Sequence, residues 1–254
     1  MCGRYAITSA PEAIRRLFGY DEQPNFPPRY NVAPTQPVPI VRLAEGKRQF
    51  ALVRWGLIPS WVKDPKSFSL LINARGESVL EKPAFRNAMR RRRCLFPADG
   101  FYEWKREGDR KTPFYIRARV GGPMAFAGLW EAWMGPNGEE METAAIITTR
   151  ANRTLAALHD RMPVIVQPDG FDFWLDSKVD GETASAMIAP ARDDLVEVYE
   201  VSPAVNRHAN DSPDLIKPVT AAQRAAGIAA ADAPPAKAMA KAKPKKDDGQ
   251  ASLF

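Results

Sequence analysis

A cysteine stands at residue 2, directly after the initiator methionine. Methionine aminopeptidases act when the second residue is small, so we expect Met1 to be removed and the mature chain to begin with Cys2. That residue then carries an α-amine, with a reference pKa of about 7.7–8.0, beside a nucleophilic thiol. An aldehyde reacts with such a pair to give a Schiff base, which the thiol closes to a five-membered thiazolidine. The plainer interpretation is an incidental small residue after Met1.

Glu103 is a candidate for the acid or base that such a reaction needs. It lies in the segment GFYEW. Strand alternation places Phe101 and Glu103 on one face and Tyr102 and Trp104 on the other, so Glu103 shares its face with an apolar ring. Burial on that face would raise the pKa of the carboxyl and make it a usable acid or base. An outward-facing Glu103 would be a solvated strand residue.

Two further segments hold polar side chains that suit a sugar-phosphate substrate. The segment INARGE contains Asn73, which can orient a polar group, and Arg75, which can contact a phosphate. The segment LHDRMPVI places His159 at the end of a predicted helix, two residues before Arg161. Each segment by itself is also compatible with an ordinary structural role.

Cysteine and histidine are scarce, with two of each in the chain. A zinc site with four cysteine ligands and a disulfide framework are therefore excluded, and the spacing fits no short-loop zinc finger. We expect neither a metal nor another cofactor, and both cysteines to be free thiols in a reducing compartment. Cys94 and His208 are assigned structural rather than chemical roles.

The amino-terminal residues predict the element that positions Cys2. Residues 3–7 are typical of a short strand, and a helix follows. Ser9 and Glu12 have the spacing of a capping box at the start of that helix, and Gly19 ends it. Six prolines between residues 24 and 39 predict an extended, rigid loop over residues 21–40.

Strands dominate the rest of the predicted domain. Residues 95–104 predict a hairpin around a turn at Pro97–Gly100, and residues 78–92 predict a helix that Pro83 splits. Further predicted strands are residues 50–55, 114–120, 124–133, 143–149, 163–166 and 195–201, and further predicted helices are residues 151–159, 171–175 and 182–188. This order indicates an α+β fold, with a strongly curved mixed or antiparallel sheet or a partial barrel and short flanking helices.

Charge and composition divide the chain near residue 225. The net charge is +6, which is too mild to establish a nucleic-acid partner. All 23 arginines lie in residues 1–225, where they suit bidentate phosphate contact, although a GC-rich genome would produce the same bias. Residues 226–254 hold ten alanines, five lysines and three prolines, which predict a flexible tail. We therefore expect a domain over residues 1–225, a disordered linker over residues 226–249 and a short terminal motif over residues 250–254.

Eight separated segments together resemble one family. In chain order they are MCGRY, RYNVAPTQ, WGLIPSW, NARGE, CLFPADGFYEW, FAGLWE, ITTRAN and HDRMPVI. The set is similar to that of the SRAP (SOS response-associated peptidase) family and covers residues 1 to about 220. The resemblance implies a protein whose mature amino-terminal cysteine forms a thiazolidine crosslink with the ring-opened aldehyde of an abasic site in single-stranded DNA. It also implies autocatalytic removal of Met1 and reversal of the crosslink.

The resemblance assigns roles residue by residue. Cys2 matches the crosslinking nucleophile, and Asn73 the residue that positions the cysteine terminus or the sugar. Glu103 matches the acid or base of ring opening, Schiff-base formation and reversal, and His159 the group that stabilises the opened sugar hydroxyl. Arg75 and Arg161 match positions that contact DNA phosphates. Arg4 and Trp104 are expected to be neighbouring residues that face the DNA.

The segment QASLF, residues 250–254, resembles a second known motif. It is similar to the bacterial sliding-clamp-binding pentapeptide, Gln-x-x-Leu-Phe, which matches Gln250, Leu253 and Phe254. A flexible linker of about 24 residues would span about 25–30 Å, so it would allow a clamp-tethered domain to reach nearby DNA.

Two other classes of function stay open at this point. An amino-terminal-cysteine hydrolase or amidotransferase also begins Met-Cys-Gly, but it needs an oxyanion Asn-Gly pair, and the only such dipeptide is Asn137–Gly138 in a predicted turn. A non-enzymatic, clamp-tethered DNA-binding module would make Cys2 incidental. The sequence has no signal peptide and no apolar run long enough for a membrane span, so we expect a monomeric cytoplasmic protein at the nucleoid or replication fork.

Overall fold

Strands provide most of the regular structure in the computed structural model, which describes residues 2–224. The strands are β1 (Tyr5–Ile7), β2 (Arg29–Val32), β3 (Pro37–Ala44), β4 (Lys47–Trp55), β5 (Asn73–Arg75), β6 (Arg93–Ala98), β7 (Gly100–Glu107), β8 (Arg110–Ala118), β9 (Met124–Met134), β10 (Glu140–Arg150), β11 (Arg161–Pro163), β12 (Ile165–Val166) and β13 (Val196–Glu200). The α-helices are α1 (Pro11–Phe18), α2 (Arg86–Arg91), α3 (Arg153–Ala156), α4 (Phe171–Leu175) and α5 (Gly181–Ser185). Residues Met1–Pro218 form one compact unit.

Five of these strands close into a barrel. The pairing runs β10–β4–β3–β6–β9 and returns from β9 to β10, so each of the five strands has a partner on both sides. The β4–β10 pair is parallel and the other four are antiparallel. Closure removes the exposed edges that an open sheet would present. Strands β5, β11 and β12 pair with β9 or β10.

A second sheet carries the amino-terminal strand. Its five strands pair in the order β13–β8–β7–β1–β2, and every pair is antiparallel. Phe101 and Ile116 of this sheet lie in the same buried cluster as barrel residues such as Phe96 and Phe126. The predicted α+β class with a curved sheet or partial barrel and short flanking helices is therefore confirmed, with the barrel closed rather than partial.

The predicted hairpin over residues 95–104 is wrong. Strand β6 belongs to the barrel, whereas β7 belongs to the second sheet, so the chain changes sheets between Ala98 and Gly100. The crossing brings Gly100 against β8, where an added Cβ would lie 2.5 Å from the Ile116 carbonyl oxygen. The turn-forming residues that suggested a hairpin are needed for this tight crossing instead.

The predicted alternation along β7 is confirmed. Phe101 lies in the main core, whereas Tyr102 and Trp104 belong to a separate cluster. Glu103 is buried, with 3% of its surface exposed. The acidic side chain therefore lies inside the protein, as the position of Phe101 in the sequence predicts.

The predicted capping box at the first helix is wrong, although the helix itself is confirmed. Helix α1 begins at Pro11, its N-cap is Ala10, and no side chain caps it. The Ser9 hydroxyl donates to Asp99 and so is used elsewhere. The end of the helix is as predicted, because Gly19 has the left-handed conformation, with φ of 70°, and its N–H donates to Arg15 O.

The proline-rich region is more regular than the sequence predicts. Within residues 21–40 the chain forms β2 and enters β3, so the loop prediction is wrong for those parts. Pro37 opens β3 and Pro39 lies inside it. Of the helix predicted over residues 78–92, only the part after Pro83 forms, because α2 begins at Arg86; residues 79–85 form turns and a bend, so the predicted helix before Pro83 is wrong. Across residues 2–224, no helix has the length and apolar character that crossing a bilayer requires.

Candidate active site

The pairing of β1 with β7 carries residue 2 to Glu103. Tyr5 pairs with Phe101, and the Tyr102 N–H donates to Arg4 O at 3.0 Å. Because the strands are antiparallel, moving from Tyr5 towards Cys2 on one strand follows the direction from Phe101 towards Glu103 on the other. Cys2 is fully buried. Burial first, and the nearby Glu103 charge second, raise the pKa of its thiol well above the usual range.

Asp99 fixes the other end of the amino-terminal strand. Its Oδ2 accepts the backbone N–H of Thr8 at 2.6 Å and that of Ser9 at 2.8 Å, and its Oδ1 accepts the Ser9 hydroxyl. The Asp99 N–H in turn donates to Ala6 O at 2.8 Å. Asp99 lies at the crossing that leads into β7, so one side chain ties the strand that bears Cys2 to the strand that bears Glu103. Sequence patterns alone do not single out Asp99, and the signal that marks it is an acidic residue inside the turn PADG.

We expect Asp99→Ala to slow any reaction of Cys2 more than its loss of stability explains. The change removes the carboxylate that accepts three hydrogen bonds and costs about 1–3 kcal/mol of the free energy of unfolding. Asp180→Ala is the matched control, because Asp180 also accepts three hydrogen bonds, from Glu182 N, Thr183 N and Thr183 Oγ1, at the start of α5. Thermal unfolding and the reaction rate of Cys2 should be measured for both variants. Equal rates in the two variants would refute the positioning role.

Asn73 reaches the amino-terminal segment from the barrel side. Strand β5 pairs in parallel with β10, with Asn73 opposite Ile146. The Asn73 side-chain amide donates to Cys2 O at 3.0 Å. Its Oδ1 is buried and has no hydrogen-bond partner among residues 2–224. A buried acceptor without a donor is costly, so this oxygen is suited to receive a donor from a bound group or from the cysteine amine.

The Glu103 carboxyl has a raised pKa. Burial is the largest cause of the shift, and nearby positive charge only partly opposes it. The net upward shift keeps a larger fraction of the side chain protonated near neutral pH than an exposed glutamate would have. Glu103 can therefore donate a proton in one step and accept one in another.

His159 enters the site from the turn after α3. Its backbone N–H donates to Leu155 O at 3.0 Å, and Asn152 caps the helix by accepting from Leu155 N. The ring Nδ1 accepts the Arg161 N–H at 2.9 Å, and the exposed Asp160 Oδ1 lies 2.9 Å from the same Nδ1. The bond from Arg161 uses the Nδ1 lone pair, whereas a bond to Asp160 would need a proton on the same atom. Because the Asp160 side chain is exposed and can turn to solvent, we follow the backbone bond and assign the ring proton to Nε2.

A cleft of about 680 Å³ joins several of the predicted residues. Glu103 and His159 line it together with Arg4 and Trp104. Its remaining lining residues are Lys105, Arg106, Lys111, Ala157, Leu158, Asp160 and Asn206. Cys2 and Asn73, which are hydrogen-bonded to each other, are not among its lining residues. Among residues 2–224, no group of three or more His, Cys, Asp or Glu side chains is arranged to hold a metal ion.

Arg4 is a buried cation in the wall of the cleft. Its Nη1 donates to Asn31 Oδ1 at 2.6 Å and to Val205 O at 2.9 Å. No carboxylate of residues 2–224 lies within ion-pair distance of it, and burial lowers its pKa. A buried guanidinium held only by neutral acceptors is suited to an anion that arrives from outside. Asn31, which orients it, was missed in the sequence analysis.

The two remaining predicted arginines differ in their surroundings. Arg161 donates from Nη1 and Nη2 to the two carboxylate oxygens of Glu77 at 2.5 and 2.9 Å, and from Nη2 to Thr148 O at 2.6 Å. The bond from Arg161 lowers the pKa of Glu77. Arg75 is exposed on β5. A phosphate at Arg161 would have to share the guanidinium with Glu77, whereas Arg75 is open to solvent.

The site therefore combines residues from both sheets. The amino-terminal segment contributes Cys2, β5 contributes Asn73, β7 contributes Glu103, and the turn before β11 contributes His159. Trp104 follows Glu103 and donates from Nε1 to Asn206 Oδ1 at 2.8 Å. Gln250, Leu253 and Phe254 lie outside the described residues. Cys94 is fully buried in the core, and His208 is exposed.

A family model described as SOS response associated peptidase (SRAP) matches residues 1–208. The chain belongs to this family. Among curated SRAP relatives, the abasic site processing protein YoqW of Bacillus subtilis is 40% identical over 222 residues, covering 85% of this chain and 99% of that protein. The abasic site processing protein YedK of Escherichia coli is 33% identical, covering 86% of this chain and all of YedK.

More distant comparisons agree on the family and the fold. The abasic site processing protein HMCES of Xenopus tropicalis is 30% identical, covering 88% of this chain and 80% of HMCES. A crystal structure of a protein from Bacteroides thetaiotaomicron superposes with a TM-score of 0.80 at 24% identity, over 86% of this chain and 100% of that chain. This likeness bears on the fold alone, and it agrees with the arrangement of barrel and second sheet described above.

Proposed function

We propose that this SRAP protein processes abasic sites in DNA by forming a covalent crosslink through Cys2. The observation that carries the proposal is the placement of residue 2 beside a buried Glu103, with Asn73 on its carbonyl oxygen at 3.0 Å. The names of the curated relatives, each an abasic site processing protein, support DNA as the substrate. Removal of Met1 is part of the proposal, because only then is the Cys2 amine free, and the resemblance to the family implies that the protein can carry out this step itself.

The proposed reaction balances with the loss of one water. The abasic deoxyribose opens to an aldehyde, and the Cys2 amine adds to it and expels water as the Schiff base forms. The Cys2 sulfur then bonds to the former aldehyde carbon, and its proton passes to the nitrogen. The raised pKa of the Cys2 thiol favours this order, with the amine reacting first and the thiol second.

Glu103 and His159 are proposed to move the protons. A protonated Glu103 can donate to the ring oxygen of the sugar or to the departing hydroxyl, and its carboxylate can then take the thiol proton. The Nε2–H of His159 can donate to the hydroxyl of the opened sugar. Reversal runs through the same groups in the opposite order, and the Asn73 Oδ1 is placed to accept a hydrogen bond from the amine.

Single-stranded DNA is the proposed substrate form, because an abasic sugar there is accessible without base flipping. Arg4 and Arg75 are proposed to contact phosphates of the DNA. Arg161 is proposed to contact a phosphate while it shares its guanidinium with Glu77, and Trp104 is proposed to stack against a base. Backbone contacts of this kind give affinity without reading sequence.

The deciding experiment mixes the mature protein with single-stranded DNA that carries one abasic site. We expect an adduct that survives heating in a denaturing gel and whose mass is that of protein plus DNA minus one water. The same DNA reduced with borohydride beforehand has no aldehyde and serves as the control. No adduct with the unreduced DNA would overturn the proposal, and hydrolysis of small amides instead would favour the amidotransferase class.

A second proposal concerns residues 250–254. Their match to Gln-x-x-Leu-Phe suggests that the chain binds the bacterial sliding clamp, with Leu253 and Phe254 in an apolar pocket of the clamp. Tethering of this kind raises the concentration of the domain near the DNA that the clamp encircles, to a degree set by the length of the linker. It would keep the protein near replicating DNA, where unpaired strands are exposed.

We expect deletion of Phe254 to abolish retention on immobilised clamp while crosslinking of abasic DNA stays unchanged. The physical reason is that the aromatic ring supplies most of the apolar area that a pentapeptide can bury. Ser252→Ala is the matched control at a position that the motif leaves free. Retention of the truncated chain at the level of the full chain would remove the clamp proposal.

A further inference from the structure

Two cations face each other across the hairpin of β7 and β8. The register pairs Arg106 directly with Lys111, and both side chains are exposed and line the cleft. Side chains directly opposite on antiparallel strands have Cβ atoms about 4.5–5.5 Å apart, and like charges in that position destabilise a sheet. This pairing therefore costs stability in the free protein.

Neither cation is compensated within the protein. Among residues 2–224, no carboxylate lies within ion-pair distance of Arg106 or Lys111. Other cations of the same sheet have partners, since Lys105 Nζ lies 2.7 Å from Glu107 Oε1. Arg117 of β8 donates from Nε to Glu197 Oε1 at 2.6 Å, and Glu197 is its directly opposite residue on β13. The sheet thus places a complementary charge directly opposite Arg117, whereas it places a second cation directly opposite Arg106.

The position of the pair relates it to the reaction centre. Arg106 lies three residues beyond Glu103 on β7, about 10 Å along the strand and on the face that carries Trp104, and both Glu103 and Arg106 line the cleft. Trp104 lies between them, and its bond to Asn206 orients the ring. A strand of DNA whose abasic sugar meets Glu103 would therefore bring the phosphate of a neighbouring nucleotide, rather than that of the lesion, to Arg106 and Lys111.

We propose that Arg106 and Lys111 together bind one phosphate of the DNA strand, one or two nucleotides from the abasic site. The proposal rests on the proposed function for its ligand. A phosphate between the two side chains relieves their repulsion, since it supplies the anion that the sheet lacks at this position. Both side chains are long enough to converge on one phosphate, with the Arg106 guanidinium able to donate two hydrogen bonds and Lys111 acting as a point charge.

The test measures non-covalent binding, so that it does not depend on the crosslink. A fluorescent single-stranded oligodeoxynucleotide without an abasic site is titrated with wild type and with the R106Q/K111Q variant over a range of KCl concentrations. Each neutralised phosphate contributes about 0.7 to the slope of log Kd against log salt on single strands. We expect the slope of the variant to be smaller by about 0.7, and its affinity at low salt to be at least about tenfold weaker.

Two further variants keep the result interpretable. R16Q/K47Q removes two exposed cations away from the cleft, and we expect its slope and affinity to stay close to the wild type. R106E places a carboxylate opposite Lys111, so this variant should fold at least as stably as the wild type and bind DNA more weakly. An unchanged slope in R106Q/K111Q, or R106E binding as the wild type does, would overturn the proposal. A slope that falls by about 1.4 would overturn the sharing of one phosphate.

The two proposals fail in different ways. If wild type forms no adduct with abasic DNA but R106Q/K111Q still loses salt-dependent binding, the proposed crosslinking fails and the phosphate site stands. If the adduct forms and the salt slope does not change, the reverse holds.

Discussion

Replacing Cys2 by alanine is expected to abolish the heat-stable adduct with abasic single-stranded DNA. Alanine keeps an α-amine at residue 2 but removes the sulfur that closes the thiazolidine ring. The Schiff base then remains hydrolysable, so it should be trapped only when borohydride is present. The measurement is a denaturing gel of protein and labelled abasic DNA, with and without borohydride. The loss in the unreduced samples should be complete rather than a change in rate.

Cys94→Ala is the matched control for this prediction. Cys94 is the other cysteine of the chain and is fully buried in the core, where burial raises the pKa of its thiol. Its loss costs about 1 kcal/mol or slightly more through a small cavity. Adduct formation in Cys94→Ala should match the wild type at temperatures below its unfolding transition. An adduct that persists in Cys2→Ala without borohydride would show that another nucleophile carries the reaction.

Replacing Glu103 by glutamine is expected to slow crosslink formation and reversal by about 10²–10⁴-fold. The amide keeps the size of the side chain but cannot exchange a proton with the sugar oxygen or the thiol. DNA affinity should stay within a few-fold of wild type, because Glu103 is not proposed to contact phosphates. The measurements are adduct formation over time and titration with undamaged DNA. Glu107→Gln, on the exposed end of the same strand, is the control and should react at the wild-type rate.

The same variant should be more stable than the wild type at high pH. The pKa of Glu103 is raised in the folded protein, mainly by burial, so the native state binds more protons than the unfolded state between the two pKa values. Stability from this group is therefore fully present below the unfolded pKa and is lost as the pH rises through the folded pKa. Glutamine has no such loss. Thermal unfolding of wild type and Glu103→Gln should differ more at pH 8 than at pH 4, with the variant the more stable.

Loss of DNA affinity in Glu103→Gln would contradict the proposed role, because it would indicate a binding residue rather than a proton carrier. A difference in stability that grows towards low pH would contradict the direction of the pKa shift. Either result can be obtained on protein that remains folded, since glutamine fits the space of glutamate.

Local patterns in the sequence predicted a large part of the fold. The turn at Gly19 was predicted because a residue that adopts the left-handed conformation ends a helix. The inward face of Glu103 was predicted because successive strand residues alternate between faces, and Phe101 defined the apolar one. Both predictions depend only on residues that are close together in the sequence, so the local pattern contains the information that they need.

Two predictions that depend on the pairing or hydrogen-bond partner of a segment are wrong. The segments on either side of residue 99 predict one hairpin, because two strands around a turn usually pair with each other. In the structure they pair with β1, β3, β8 and β9 instead. Ser9 likewise has the spacing of a helix N-cap, but its hydroxyl donates a hydrogen bond to Asp99, which is 90 residues away.

Residue types and positions identify the reactive groups of this SRAP protein without coordinates, since Cys2 lies beside the chain amine and Glu103 lies among aromatic residues. The hydrogen-bond partners and the burial of these reactive groups depend on the tertiary structure. Two contacts show this: Asn73 donates to Cys2 O across 71 residues, and Asp99 accepts the Thr8 N–H across 91 residues, so both depend on how distant strands pair. Register is set by the burial of whole faces across distant strands, and no local pattern records it.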